Sequence, residues 1–325
     1  MKYDVIVIGG AFAGLTAAIY SSRQGMKTLV ITKDIGGQGL LTNDIQNFPG
    51  FTSISGFDLA SKFQEQALLY GTEFVYDEVT GVEDNNGLFT VKTREEAYEA
   101  DALVLGFGKT PRDLGSPGEE KYKGRGVSYC SICDGPLYRN KDVMVAGAGD
   151  HALQAALYLA TVASKVYVPQ RGNRISGSED MINDAKALPN IEFIYESEVS
   201  EIKGDKTVNS VVLKNKSGNT TEIPVRAVFV EMGYVAKTAM LKDFVNMNNE
   251  GEVLIDMNGA TSHPGVFAAG DVTNIPYKQA IISAGQGSVA ALSAINYIHR
   301  KRGKVAMKSD WKYIPTGKKE EKLKI

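Results

Sequence analysis

The chain has 325 residues, of which 43% are hydrophobic and 23% charged, and a formal net charge of -2. That length exceeds what one core usually organises and points to two globular domains, while the near-neutral balance gives no electrostatic case for nucleic acid. No apolar run looks long enough to span a bilayer, and Asp4 interrupts the apolar opening, so a strand explains it better than a secretion signal and a cytoplasmic protein is expected.

The opening reads as a strand, Tyr3 to Ile8, then Gly9-Gly10-Ala11-Phe12-Ala13-Gly14 and a helix through Gln24. This is the start of a dinucleotide-binding βαβ unit. Backbone must approach a pyrophosphate closely there, and the helix start adds N–H donors and a favourable dipole. Gly9 and Gly14 fit, and Ala11 stands at the middle glycine position, one methyl that the turn can accommodate. The next strand, Lys27 to Thr32, should deliver an acid to the adenosine ribose, but Thr32 and Lys33 stand there and Asp34 follows slightly late.

The only two cysteines come next, three apart in Tyr129-Cys130-Ser131-Ile132-Cys133-Asp134-Gly135. Such a spacing closes a short disulfide and often holds one thiol as a thiolate, the state that performs exchange. A structural zinc needs four ligands, and His151, His263 and His299 are widely scattered, so no metal is expected. Two inert buried cysteines, or a disulfide kept for stability, are the bland alternatives; so small a loop removes little unfolded-state entropy. A redox pair is the sharper reading.

A second fingerprint follows. Strand Asp142 to Ala146 leads into Gly147-Ala148-Gly149-Asp150-His151-Ala152 and a helix through Ala163, with Gly147, Gly149 and Ala152 matching fully and His151 read as a surface residue. Two fingerprints imply two dinucleotides, most economically a flavin and a nicotinamide. After strand Lys165 to Val168 comes Pro169-Gln170-Arg171, then Arg174, two guanidinium groups suited to a 2′-phosphate. No acid sits at that strand end for a free 2′-hydroxyl. Further on, Val266 to Asp271 is a short strand ending in Gly270-Asp271, where an acid can accept from a ribityl hydroxyl, and a helical run follows from Gln279 to Arg300. From Arg300 to Ile325 ten Lys or Arg stand against three acids, a basic tail that includes Trp311 and Tyr313.

As a set these residues resemble the low-molecular-weight thioredoxin reductases of the pyridine nucleotide-disulfide oxidoreductase superfamily. The resemblance is carried by Gly36-Gly37-Gln38, Asn47-Phe48-Pro49-Gly50, Gly106-Phe107-Gly108-Lys109, Lys123 to Ser128, Cys130 to Gly135, both fingerprints, Phe267 to Asp271 and Lys278-Gln279-Ala280. Related flavoproteins without the cysteine pair, such as ferredoxin-NADP reductases, fit less well. The resemblance implies an α/β fold of two Rossmann-like three-layer nucleotide-binding domains, the nicotinamide domain inserted into the FAD domain. The expected division is 1–112 and 242–325 for FAD, and 113–241 for the nicotinamide and the disulfide, with crossings that would serve as a hinge.

For the site, the resemblance implies FAD contacts at Gly9, Ala13, Gly14, Asp34, Gln38, Asn47, Gly108, Gly270, Asp271, Gln279 and Ala280, and nicotinamide contacts at Gly147, Gly149, Asp150, Ala152, Arg171 and Arg174. It makes Cys133 the flavin-proximal sulfur, Cys130 the thiol that attacks a partner disulfide and Asp134 the general acid. Chemistry gives Asp134 independent support, since a departing thiolate needs a proton and a partly buried carboxyl with a raised pKa can supply it; a plain turn role before Gly135 is the alternative. Relatives that use NADPH carry His-Arg-Arg where Pro169-Gln170-Arg171 stand, and often proline where Ala236 stands. The expected activity is therefore FAD-mediated reduction of thioredoxin by NADPH in a homodimer. NADH, ferredoxin or a deazaflavin as donor, a peroxiredoxin or glutaredoxin-like partner, and a non-catalytic redox sensor stay open.

Overall fold

The computed structural model describes residues 2–41 and 45–307; the tail carrying Trp311 and Tyr313 lies outside the described residues. The chain divides into two compact units, 1–109 with 236–325, and 110–235. The first stretch runs β1 (Lys2–Ile8), α1 (Phe12–Arg23), β2 (Thr28–Thr32), α2 (Gly56–Leu69), β3 (Glu73–Tyr76), β4 (Val79–Asp84), β5 (Phe89–Thr93) and β6 (Ala97–Leu105). The inserted unit holds β7 (Thr110–Pro111), α3 (Glu119–Tyr122), β8 (Val127–Ser128), α4 (Ser131–Asp134), β9 (Asp142–Gly147), α5 (Gly149–Ala160), β10 (Lys165–Pro169) and α6 (Glu179–Ala187). It continues with β11 (Ile191–Ile194), β12 (Ser197–Gly204), β13 (Val208–Asn215), β14 (Thr220–Pro224), β15 (Ala227–Glu231) and β16 (Tyr234–Val235). The return stretch adds β17 (Val266–Ala268) and α7 (Ala280–Lys301).

In the larger unit the sheet order is β3-β2-β1-β6-β5-β4, with β17 also paired to β6. Strands β1, β2, β3, β6 and β17 are parallel, which is why they read as nearly continuous apolar runs. Alternation sorts their side chains to two faces. Val5, Val7, Ala102 and Val104 pack under α1 and α7, and Ile6, Ile8, Leu103 and Leu105 pack on Leu241, Val245 and Val253 of the return stretch. Helix α7 is 22 residues long and is long and apolar enough to cross a bilayer by length and composition, which corrects the expectation that no such run exists. Its apolar face has another use: Ala284, Ala290, Ala291, Ala294, Ile295 and Ile298 are buried in the cluster around α1.

The inserted unit repeats the pattern with a parallel sheet ordered β11-β10-β9-β15-β8. Val143 and Val145 face α5, whereas Met144 and Ala146 face the antiparallel sheet β12-β13-β14 through Ile202, Val211 and Leu213. The two crossings lie between Lys109 and Thr110 and between Val235 and Ala236, rather than at 112/113 and 241/242. They lie there because β7 and β16 pair antiparallel, Tyr234 with Pro111 and Val235 with Thr110, so both crossing segments fold with the inserted unit.

Helices α1 and α7 meet at Gly287, where an added Cβ would lie 2.2 Å from the Ala13 carbonyl oxygen. Gly287→Ala is expected to destabilise the fold by about 1–3 kcal/mol through overpacking. Gly285, two residues away, has nothing within 4 Å of its added Cβ, so Gly285→Ala is expected to stabilise by roughly 0.5–1 kcal/mol. Urea midpoints of the two variants should move in opposite directions.

Candidate active site

Side-chain-free contacts build the first nucleotide loop. An added Cβ at Gly14 would sit 1.9 Å from the Gly9 carbonyl oxygen, and one at Gly9, where φ is +110°, would sit 2.5 Å from the Gly106 oxygen. The end of β1, the start of α1 and the end of β6 therefore touch backbone to backbone. The methyl of Ala11 is accommodated opposite Gly37, whose own added Cβ would be 3.2 Å from it. Gly10 donates to Thr32 Oγ1 at 2.9 Å and Thr32 Oγ1 donates to the Asp34 carbonyl. One carboxylate oxygen of Asp34 accepts from Gly37 N at 3.0 Å, so Asp34 shapes the loop at the end of β2 where a ribose acid would stand.

The helix starts differ in a telling way. Ser55 caps α2, its hydroxyl accepting from Asp58 N. Helices α1 and α7 have no side-chain cap and no acid in the first turn, which leaves N–H groups and the positive dipole end for an anion. Gln279, the residue before α7, accepts from Asn47 Nδ2 at 3.0 Å, and Ala280 begins the helix. Asp271 accepts from Ser283 Oγ at 3.1 Å, and Gly270 N donates to Gln286 Oε1 at 2.8 Å. Gln38 donates to the Lys109 carbonyl at 3.0 Å, and Gly108, at φ +65°, has open space where a Cβ would be. Uncapped helix starts beside glycines that leave room are what a bulky dinucleotide such as FAD requires.

Beside these residues lies a charge cluster that sequence reasoning missed. Buried Glu252 accepts from Lys109 Nζ at 2.8 Å and Lys278 Nζ at 2.9 Å on one oxygen, and from Asn248 Nδ2 at 2.7 Å on the other. Burial by itself would raise its pKa; the bonds from Lys109, Lys278 and Asn248 outweigh it and hold the carboxyl at about 2. Both lysines lie in motifs that were noted, but nothing in the local pattern pairs positions 109 and 278 with 252.

The second loop repeats the first. An added Cβ at Gly147 would lie 2.1 Å from the Glu231 carbonyl oxygen, and Gly149, at φ +78°, faces open space. Helix α5 has no side-chain cap, Ala152 is buried, and Asp150 Oδ1 accepts from Ser178 N at 2.7 Å. His151 is exposed, its ring 6.2 Å from that of Tyr234. At the end of β10, Gln170 is buried and donates to the Pro169 carbonyl. Arg171 and Arg174 are exposed, and Arg171 Nε pairs with Glu198 at 3.2 Å.

Cys130 and Cys133 form a disulfide with Cα atoms 5.3 Å apart. Cys130 precedes α4 in extended conformation, its Sγ accepting from Cys133 N at 3.1 Å. Cys133 is exposed, whereas Cys130 and Asp134 are half-buried. Tyr138 is pushed up by burial and then by the charge of Asp134. The acid in this unit whose pKa is raised is Glu231, at the end of β15: burial lifts it to about 7 against a hydrogen bond from Ser131. The signal for it was present in the sequence, an acid closing the otherwise apolar run Ala227-Val228-Phe229-Val230.

A match to the family described as pyridine nucleotide-disulphide oxidoreductase covers residues 3–290. The chain belongs to that family. It is 38% identical over 299 residues to the thioredoxin reductase of Treponema pallidum, covering 91% of this chain and 97% of that protein. To the thioredoxin reductase of Listeria monocytogenes it is 36% identical, covering 91% and 94%. Among solved structures it matches Lactococcus lactis thioredoxin reductase with a TM-score of 0.79 and 36% identity, covering 92% and 100%. The fold is accordingly two Rossmann-like units, one serving FAD and one a nicotinamide dinucleotide.

Glu252 gives a pH signature. Its folded pKa lies below the usual 4.5, so its contribution to stability is complete above that value and is lost as pH falls towards about 2. Glu252→Gln is expected to flatten the loss of stability across that window, measured as urea midpoints at successive pH values. An acid limb as steep as the wild type's would contradict it.

Proposed function

We propose that the chain is an FAD-dependent thioredoxin-disulfide reductase. Electrons pass from a nicotinamide dinucleotide to the Cys130–Cys133 disulfide and on to thioredoxin or a similar small protein disulfide. The observation that carries this reading is a Cys-x-x-Cys disulfide in the same unit as a second dinucleotide loop, in a chain similar over most of its length to thioredoxin reductases. FAD, when bound, supplies the two-electron link between nicotinamide and disulfide.

The chain's own residues bind and move protons around that link. Gly9, Ala13 and Gly14 bring α1 to the FAD pyrophosphate, with Asp34 near the adenosine ribose. Gln38, Asn47, Gly108, Gly270, Asp271, Gln279 and Ala280 surround the rest of the cofactor. Gly147, Gly149, Asp150 and Ala152 do for the nicotinamide dinucleotide what the first loop does for FAD. Once the pair is reduced, the Cys130 thiolate attacks one sulfur of the partner disulfide, and Asp134 gives a proton to the departing thiolate. Cys133 then attacks Cys130 in the mixed disulfide, which releases the partner as a dithiol and restores the Cys130–Cys133 bond. The working form is a homodimer in the cytoplasm that needs neither nucleic acid nor membrane; light scattering reads the dimer directly.

NADPH is the proposed donor, with Arg171 and Arg174 on its 2′-phosphate. One observation favours NADH instead: Glu198 already pairs with Arg171, and a carboxylate there opposes a phosphate. Anaerobic bleaching of the bound flavin by each donor separates the two. If NADPH is the donor, Arg171→Ala should lower its kcat/KM about tenfold and leave that for NADH unchanged. An equal loss with both removes the phosphate contact.

Cys130→Ser and Cys133→Ser should each abolish turnover with thioredoxin while leaving FAD bound. Asp134→Asn should slow exchange about a hundredfold. Full turnover in either cysteine variant would falsify the relay, and an unchanged rate in Asp134→Asn would reduce Asp134 to a turn residue.

A further inference from the structure

The two halves of the cysteine turn are held from opposite faces of the inserted unit's parallel sheet, one by α5 and one from the side of the antiparallel sheet. On the Cys133 side the Tyr158 hydroxyl of α5 donates, at the long distance of 3.5 Å, to the Ile132 carbonyl. An added Cβ at Gly135, directly after α4, would lie 3.0 Å from the side chains of Tyr158 and Leu159. On the Cys130 side the anchor is an acid that the reaction above does not use. Glu119 is buried and opens α3. One of its oxygens accepts from Leu114 N at 2.8 Å and from the Tyr129 hydroxyl at 2.7 Å, and the other accepts from Gly115 N at 2.7 Å. Tyr129 immediately precedes Cys130, and the Ser128 hydroxyl accepts from Cys130 N at 3.1 Å and donates to the Cys130 carbonyl at 3.2 Å. The segment that carries Glu119 is itself fixed to β12. Ile202 N donates to the Pro117 carbonyl at 2.8 Å, the Ser116 hydroxyl donates to the Val199 carbonyl at 3.1 Å, and an added Cβ at Gly118 would lie 2.0 Å from the Ile202 oxygen.

We propose that Tyr129 is a positioning residue for Cys130: bonded to Glu119, it holds the Cys130 end of the turn opposite Cys133 once the disulfide is opened. The inference rests on reading that pair as the redox centre. In the oxidised form the bond between the sulfurs restrains the turn by itself, and the anchor adds little. In the dithiol the two anchors are what keep the sulfurs near each other, so they set the effective concentration of one thiol at the other. A tighter anchor therefore favours closure and makes the pair harder to reduce. A phenol bonded to a carboxylate suits this task because such a bond is short and strong, and the carboxylate is fixed in turn by two backbone N–H groups. Asp113 Oδ1 is a second acceptor for the same hydroxyl at 3.0 Å, and Lys123 Nζ lies 4.7 Å from the centre of the Tyr129 ring and 3.7 Å from Asp113. The ring is thus gripped at its face and at its tip.

The test is the anaerobic equilibrium of the FAD-loaded full chain with dithiothreitol buffers at one pH, with Cys130 and Cys133 trapped by N-ethylmaleimide and counted by mass spectrometry. Two electrons and two protons pass from dithiothreitol, which closes to its cyclic disulfide, to the protein pair, which opens to two thiols. The flavin is followed separately by its absorbance. Tyr129→Phe keeps the ring and loses the hydroxyl, so its dithiol gains freedom. Its equilibrium constant should move about three- to tenfold towards the dithiol, a rise of about 15–30 mV in potential. Glu119→Gln keeps an acceptor for the phenol but loses the charge, so it should move the constant the same way and by less; it decides alone should Tyr129→Phe fail to fold by circular dichroism. Tyr122→Phe is the control, because it removes a hydroxyl of the same unit that is bonded to the Gly204 carbonyl and not to the turn. It should cost stability and leave the constant unchanged. A wild-type constant in Tyr129→Phe, or an equal shift in Tyr122→Phe, overturns the proposal. The assay needs neither thioredoxin nor a nicotinamide. Failure to reduce thioredoxin with the shift present would therefore sink the proposed activity and leave the role of Tyr129 standing.

Discussion

Helix α1 is held at backbone contact distance on two sides, and the larger unit depends on that clamp. On the sheet side Gly14 meets the Gly9 oxygen, and on the other Gly287 of α7 meets the Ala13 oxygen; an added Cβ would lie 1.9 and 2.2 Å away respectively. No larger side chain fits at either place without moving a helix. The clamp sets the open N–H groups of α1 at the carboxyl edge of a parallel sheet, where ligands of such sheets bind. It also docks α7 along α1, so Asp271, Gln279 and Ala280, more than 250 residues along the chain, belong to the same unit as Gly9.

The inserted unit meets the same demand with a different partner. Gly147 takes the role of Gly9 in close approach to the neighbouring strand, but the backbone it abuts is that of Glu231 on β15. In the first loop the abutting residues are themselves glycines, Gly9 and Gly106. Here the abutting residue carries an acid, whose side chain takes the space a second one would need. A packing requirement of the nucleotide loop thus makes room for a titratable group at the end of β15.

Much of this was legible in the sequence because it is local. Strands β1, β2, β9, β10 and β17 are short apolar runs, the fingerprints sit between strand and helix, and the cysteine spacing is a property of four consecutive residues. Asp34 was legible in position, while its bond to Gly37 N was not. The antiparallel sheet of β12, β13 and β14 went unread because its strands mix polar and apolar residues, and only packing against Met144 and Ala146 shows which face is buried. The ion cluster at Glu252 joins residues 26 to 143 positions apart. Period and composition carry no trace of such pairings. The ends of the inserted unit depend likewise on a distant pairing, that of β7 with β16.

The two withdrawn glutamates show how compensation, rather than burial, fixes the charge of an acid. Burial raises both. Glu252 faces two lysines and an asparagine and stays ionised far into acid, a fixed anion that ties Lys109 at the end of one stretch of the larger unit to Lys278 before α7. Glu231, lifted to about 7, has no lysine among the described residues to offset its loss of water. The same residue type is therefore a structural ion in one unit and an acid lifted to about 7 in the other. A lysine within reach of Glu231 would pull it into the first class and fix its negative charge at every physiological pH. The absence of such a cation among the described residues is what leaves its charge open to change near neutral pH.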